Sequence, residues 1–223
     1  MQDQHAELEW KDSGVPVSLR FDDPYFSLEN GVAETRHVFL AGNELPERFR
    51  PGFHIAELGF GTGLNFLVAW DAWRNSGQKG RFRFTSFEAF PMSASDMERA
   101  HAGFPSLAER AAELRSVWSG GAVDVRFTDV DLRVISGDAR ETLPGWDGCA
   151  DAWFLDGFSP AKNPELWGAD LMGAVALHTQ PGGSVATYTA AGHVRRALQD
   201  AGLMITRQPG YGRKRHMTTG RKP

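Results

Sequence analysis

Apolar and polar positions along this chain change rhythm repeatedly, and the changes predict its elements. After a polar start, Phe53–Leu58 (FHIAEL) is a short apolar run that ends in glycines and reads as a first strand. Leu64–Trp73 (LNFLVAWDAW) is apolar on nearly every face, as expected of a helix buried beside a sheet. Arg81–Phe87 (RFRFTSF) alternates and reads as a second strand, and Ser93–Trp118 supplies helical material. Val130–Ser136, Asp151–Leu155 and Ser184–Thr189 read as the third, fourth and fifth strands. Asn163-Pro164 offers an N-cap with proline at the first helical position, and Gln180-Pro181-Gly182-Gly183 stops that helix. In the next helix Val194, Ala197, Leu198 and Ala201 share one face, with Arg195, Arg196, Gln199 and Asp200 opposite; Gly202 closes it. Two last strands, near Leu203–Gln208 and Arg215–Thr219, are joined by Pro209-Gly210-Tyr211-Gly212 with no helix between them.

Strands joined by helices imply a parallel sheet covered on both faces, and a terminal pair joined by a short turn must be antiparallel. The expectation is an α/β fold of the class I methyltransferase (Rossmann-like) type. Its sheet would be seven-stranded and mostly parallel, with one antiparallel strand near the C-terminus. Ahead of it, the Asn-Gly pair in Leu28-Glu29-Asn30-Gly31-Val32 is a hairpin-turn signal. Residues 1–50 are therefore expected to be an N-terminal extension with a hairpin, and residues 51–223 the core of a single domain.

Composition narrows the class. A chain of 223 residues, 41% hydrophobic and 23% charged, suits one sizeable soluble domain. The single cysteine, Cys149, allows no internal disulfide and is expected to be a small buried hydrophobe. The N-terminus is too polar for a signal peptide or anchor, and no apolar run approaches a bilayer span, so the protein is expected to be cytoplasmic. The net charge of −4 hides an asymmetry. Residues 1–30 carry seven acids against two bases, whereas residues 192–223 carry eight bases against Asp200 alone. The C-terminal end could meet a polyanion.

Three groups carry chemistry. Glu57-Leu58-Gly59-Phe60-Gly61-Thr62-Gly63 joins the first strand to the first long helix with G-x-G-x-G spacing. That is not the G-x-G-x-x-G pattern suited to a pyrophosphate, and it fits a cofactor without phosphate such as S-adenosylmethionine. Glu88, 25 residues after Gly63, closes the second strand and can accept hydrogen bonds from both ribose hydroxyls. Asp138 follows the third strand and can accept from an adenine amino group. The fourth strand ends in Asp156-Gly157-Phe158, followed by a proline-stiffened loop. There Asp156 can orient a nucleophilic nitrogen and take its proton, and Phe158 can stack on a base. The seven histidines are dispersed, so no metal site is expected, and His54 and His178 read as packed or surface residues.

Together these segments resemble the methyltransferase part of the bacterial tRNA 5-methylaminomethyl-2-thiouridine biosynthesis (MnmC) family. PYFSLENGVAETRHVFL, ELGFGTGLNF, SFEAFP, DAWFLDGFSPAKNPELW and AAGHVRRALQDAG…GYGRKRHM carry the resemblance across roughly residues 24–220. It implies methyl transfer to the amine of a 5-aminomethyl wobble uridine in tRNA. Glu57, Gly59, Phe60, Gly61, Thr62, Gly63, Asn65, Glu88, Asp138 and Ala139 would hold S-adenosylmethionine, Asp156 would be the base, and Phe158, Lys162, Arg213, Lys214 and Arg215 would meet the RNA. Many members continue into a flavin-dependent oxidase that prepares the amine, and these 223 residues are expected not to include it. The alternatives are a small-molecule amine N-methyltransferase or aminopropyltransferase with the same cofactor site, a nucleotide-dependent oxidoreductase, and a non-catalytic RNA-binding module.

Overall fold

The structure, a computed structural model, describes residues 5–27 and 30–223. Its centre is an eight-stranded sheet. β4 (His54–Leu58), β5 (Phe82–Glu88), β7 (Val130–Ser136), β8 (Ala150–Leu155) and β9 (Thr179–Thr187) run parallel, because a helical segment returns the chain between each pair. β11 (His216–Arg221) lies antiparallel between β9 and β10 (Met204–Pro209), as expected. β6 (Val123–Arg126) was not expected. It pairs antiparallel with β7 at the far edge, so the sheet has eight strands and a second antiparallel one. The order is β10-β11-β9-β8-β4-β5-β7-β6.

Each face of the sheet carries its own apolar core. α2 (Leu64–Asn75) buries Phe66, Leu67, Trp70 and Trp73 on one face, beside α3 (Ala94–His101) and α4 (Ala108–Arg115). On the other face α6 (Ala169–Leu177) and α7 (Gly192–Asp200) pack over Trp153 and Val185, next to the short α5 (Ala139–Thr142). Val194 and Leu198 are the buried side of α7, as its apolar spacing predicts. Asn163 makes no side-chain cap; Pro164–Trp167 is a tight 3₁₀ turn, and α6 starts only at Ala169 behind Gly168. Cys149 is half-buried rather than buried.

The N-terminal segment covers the loop edge of this sheet. β1 (Leu8–Trp10), β2 (Pro16–Ser18) and β3 (Asp23–Pro24) form a small antiparallel sheet, so a hairpin exists, but upstream of the Asn-Gly pair. Leu28 and Glu29 lie outside the described residues. Asn30 does not turn a hairpin: its side chain accepts from the Ala33 amide at 2.9 Å and N-caps α1 (Gly31–Thr35). Val38, Phe39, Leu40, Leu45 and Phe49 then join the main core, which ties this segment to the rest of the chain.

Candidate active site

The carboxyl ends of β4, β5, β7 and β8 open into one cavity of about 860 Å³. The strand-end loops are fixed by backbone bonds to their neighbours: Gly59 donates to Phe87, Gly137 to Glu88 and Asp156 to Leu58. This is the edge where open α/β sheets bind ligands.

The glycine loop lies against this edge with little spare room. Gly59 has φ +87°, and a Cβ there would stand 2.9 Å from the Asp156 carbonyl oxygen. At Gly61 (φ +53°) a Cβ would meet the Tyr25 ring at 3.1 Å. Side chains are excluded at both positions by the protein's own walls. Glu88 takes two loop amides: Oε2 accepts from Gly61 at 2.8 Å and Oε1 from Phe90 at 2.7 Å. Burial pushes its pKa up, and these backbone donors pull against that. A buried carboxylate already holding a loop amide repels a pyrophosphate. It leaves acceptor lone pairs for ligand hydroxyls and suits a cationic, phosphate-free cofactor.

A hydrogen-bonded chain runs from beneath this loop to Asp156. Glu57 and Ser86 are register partners on β4 and β5, and the Ser86 hydroxyl donates to Glu57 Oε2 at 2.7 Å. Asn65, in the first turn of α2, donates to Glu57 Oε1 at 2.9 Å and to Asp156 Oδ2 at 2.6 Å. Its carbonyl accepts from the Thr35 hydroxyl at 2.9 Å, so the amide has one workable orientation. Glu57 is fully buried, and desolvation lifts its pKa well above the usual carboxylate range. Asp156 is raised to about 7, by burial first; the Asn65 bond lowers it, nearby Glu34 raises it and Lys214 lowers it.

The loop after Asp156 is held from three sides. Ser159 N–H donates to Asp23 Oδ2 at 2.7 Å, Trp167 Nε1 to the Phe158 carbonyl at 2.8 Å, and the Tyr188 hydroxyl to the Gly157 carbonyl at 2.7 Å. Phe158 stacks on Phe21 with centroids 4.8 Å apart and stands edge-on to Tyr25. One of its faces is therefore already covered. Lys162 is paired with Asp22 at 2.8 Å.

Gly59, Phe60, Gly61, Thr62, Asn65, Glu88, Asp138, Ala139, Asp156, Phe158, Lys162, Arg213 and Lys214 of the expected residues line this cavity. Glu57, Gly63 and Arg215 do not. Glu57 lies beneath and is bonded to the site through Asn65, whereas Gly63 (φ +71°) caps α2 with Phe60 and Leu114 packed against it. Arg215 is exposed outside. Phe60 turns its ring away to stack on Trp118 at 5.1 Å. Asp138 is engaged locally: it N-caps α5 and holds Arg140 at 2.6 Å, which lowers its pKa. Phe21, Tyr25, Glu34, Tyr188 and Tyr211 are cavity residues that the sequence reading did not single out. His54 and His178 are both packed, and no cluster fit for a metal ion exists among the described residues.

Fold and site define a class I methyltransferase. The profile of the S-adenosyl-L-methionine-dependent methyltransferase family matches residues 105–223, over half the chain, and the chain belongs to that family. It is 46% identical, over 97% of its length, to the tRNA 5-methylaminomethyl-2-thiouridine biosynthesis bifunctional protein MnmC of Hahella chejuensis, of which it spans 36%. The resemblance read from the motifs is thereby borne out. MnmC2 of Aquifex aeolicus superposes with a TM-score of 0.75 at 26% identity, over 98% of this chain and 71% of that one. A precorrin-6y C5,15-methyltransferase of Geobacter metallireducens shares the fold at a TM-score of 0.50 and 15% identity, over 86% and 87% of the two chains. Among the described residues no helix is long and apolar enough to cross a membrane.

Proposed function

We propose that this methyltransferase methylates the amine of 5-aminomethyl-(2-thio)uridine at the tRNA wobble position, giving the 5-methylaminomethyl nucleoside. The observation that carries the reading is Asp156, placed against the glycine loop in a cavity walled by Phe158, Tyr25, Tyr188 and Tyr211. The 46% identical relative, whose name carries this tRNA nucleoside, supports the choice of substrate. Glu88, Gly59, Gly61, Thr62, Asn65 and Ala139 would hold S-adenosylmethionine. When bound, it supplies a sulfonium-borne methyl group to an attacking lone pair.

The chain's own residues must provide that lone pair. An alkylamine has a pKa of about 10, so freeing its nitrogen at pH 7 costs about 4 kcal/mol. Asp156 can accept the proton, at a carboxylate oxygen held by Asn65. With its own pKa near 7 it is a weaker base than the amine, so desolvation between the aromatic walls must first bring the amine down. The rate should then rise with pH through about 7, as Asp156 ionises. Arg213 at the cavity and Arg215 outside it are suited to phosphates, Lys162 is tied to Asp22, and Asp138 would reach an adenine amine only past Arg140.

The relative is bifunctional, and an oxidase that exposes the amine, fused or separate, is the partner reaction we expect. Such a tRNA reaction belongs in the cytoplasm, and the described part of the N-terminal segment acts in it as a cover for the catalytic loop, through Phe21 and Asp23. The test compares methyl transfer to an aminomethyluridine anticodon stem-loop with transfer to free alkylamines. Efficient transfer to the stem-loop supports the reading. Transfer to free amines alone would support the small-molecule alternative.

A further inference from the structure

Glu34 lines the cavity, and among the described residues it is paired with Lys214, a residue expected to bind RNA. Its side chain is 13% exposed, and Lys214 Nζ stands 2.7 Å from Glu34 Oε1. The same ammonium sits 4.2 Å from the centroid of the Tyr188 ring. Tyr188 cannot swing away easily, because its hydroxyl donates to the carbonyl of Gly157, next to Asp156. Glu34 is equally well placed, since Thr35 beside it donates to Asn65, which donates to Asp156. A carboxylate beside an aromatic face is the combination that recognises an alkylammonium group.

Lysine ends in a CH₂–NH₃⁺ group, and so does the protonated aminomethyl substituent of the proposed substrate. We propose that Glu34 and Tyr188 form the binding cage for the substrate's ammonium group, which the Lys214 side chain fills in this structure. The inference rests on the function proposed above and adds the residues that select a charged amine. Lys214 sits in the turn between β10 and β11, which is joined to the α1 side through His37 Nε2 and the Pro209 carbonyl at 3.0 Å. Its side chain is 47% exposed, and an ion pair that open to water is weakly held, so an incoming ammonium can displace it. Lys214 then acts as a removable plug, and its role differs from the phosphate contact expected from the basic cluster. The cage receives the substrate as a cation close to Asp156, where the proton must be lost.

The test uses the full chain and two anticodon stem-loops, one with 5-aminomethyluridine and one with neutral 5-hydroxymethyluridine at the wobble position. The ratio of their dissociation constants measures the preference for the ammonium. Glu34→Gln should cut that preference roughly tenfold, the scale of one lost charge-assisted hydrogen bond. Tyr188→Phe should keep it and Tyr188→Leu should lower it roughly threefold, because the ring face acts and not the hydroxyl. Lys214→Met should raise it by removing the internal competitor. An unchanged ratio in Glu34→Gln, or a lower ratio in Lys214→Met, would overturn the cage. If the wild-type chain methylates the aminomethyl stem-loop and Glu34→Gln keeps the ratio, the cage alone is wrong. If the wild-type chain binds neither stem-loop, the proposed function is wrong and takes the cage with it.

Discussion

Replacing Asn65 by alanine isolates what holds Asp156 ready to act. The amide donates at 2.6 Å to Asp156 Oδ2 and stabilises its ionised form. A hydrogen bond to a charged group contributes about 1.5–3 kcal/mol, and one pKa unit corresponds to about 1.4 kcal/mol. Losing it should move Asp156 from about 7 up by roughly one to two units. At pH 7 the ionised fraction would fall from about half to roughly 1–10%, and the rate with it. The loss should recover at higher pH. Asn65 also lines the cofactor part of the cavity, so the assay is single-turnover methyl transfer at saturating S-adenosylmethionine, from pH 6 to 10. Glu57 loses the same donor but stays bonded to the Ser86 hydroxyl, and burial already raises its pKa. An acid limb that stays near pH 7 while only the plateau falls would refute the coupling of Asn65 to Asp156.

Asp156 ionises near 7 in the fold against 3.8 ordinarily, so the stability it gives at low pH is lost as pH rises through 7. Asp156→Asn should accordingly be more stable than wild type at pH 8, by at most about 4 kcal/mol in urea denaturation, with little difference at pH 4, while turnover drops roughly a hundredfold or more. Glu88→Ala removes two amide acceptors and the proposed ribose contact, and calorimetry should show S-adenosylmethionine bound roughly tenfold or more weakly. Asp138→Ala should lose about 1 kcal/mol in urea denaturation as an N-cap, whereas Asp138→Asn, which can still cap, should lose little. Replacing Arg213 and Arg215 together should flatten the log–log salt dependence of tRNA binding by about two, with cofactor affinity unchanged; an unaltered slope would place neither on phosphate.

The parallel core was legible because buried strands and α2 are apolar nearly throughout, and because glycines and acids fall at the strand ends, where ligands bind. β6 was not: its Val123 and Val125 alternate, but four residues at a sheet edge give too little pattern to separate from the preceding helical stretch. Asn30-Gly31 shows why a local signal can mislead. The asparagine side chain serves a turn and a helix cap equally, and the helix here is anchored by Thr35 on Asn65, thirty residues away. Asp138 follows the third parallel strand, but no local pattern announces that Arg140, two residues on, holds its carboxylate. The wall made by Phe21, Asp23, Tyr25 and Glu34 was out of reach. Its meaning depends on Phe158, Ser159 and Lys214, more than a hundred residues later, and no periodicity reports such a meeting.

The most direct measurement of the central claim follows the methyl group itself. Undermodified tRNA carrying the wobble aminomethyl group is incubated with the chain and methyl-deuterated S-adenosylmethionine, digested to nucleosides and fragmented by mass spectrometry. The label should appear on the exocyclic amine of the wobble uridine and nowhere else, and should be nearly absent with Asp156→Ala. Label on a ring carbon, on a ribose hydroxyl or at another tRNA position would contradict the account, as would undiminished labelling by the Asp156 variant.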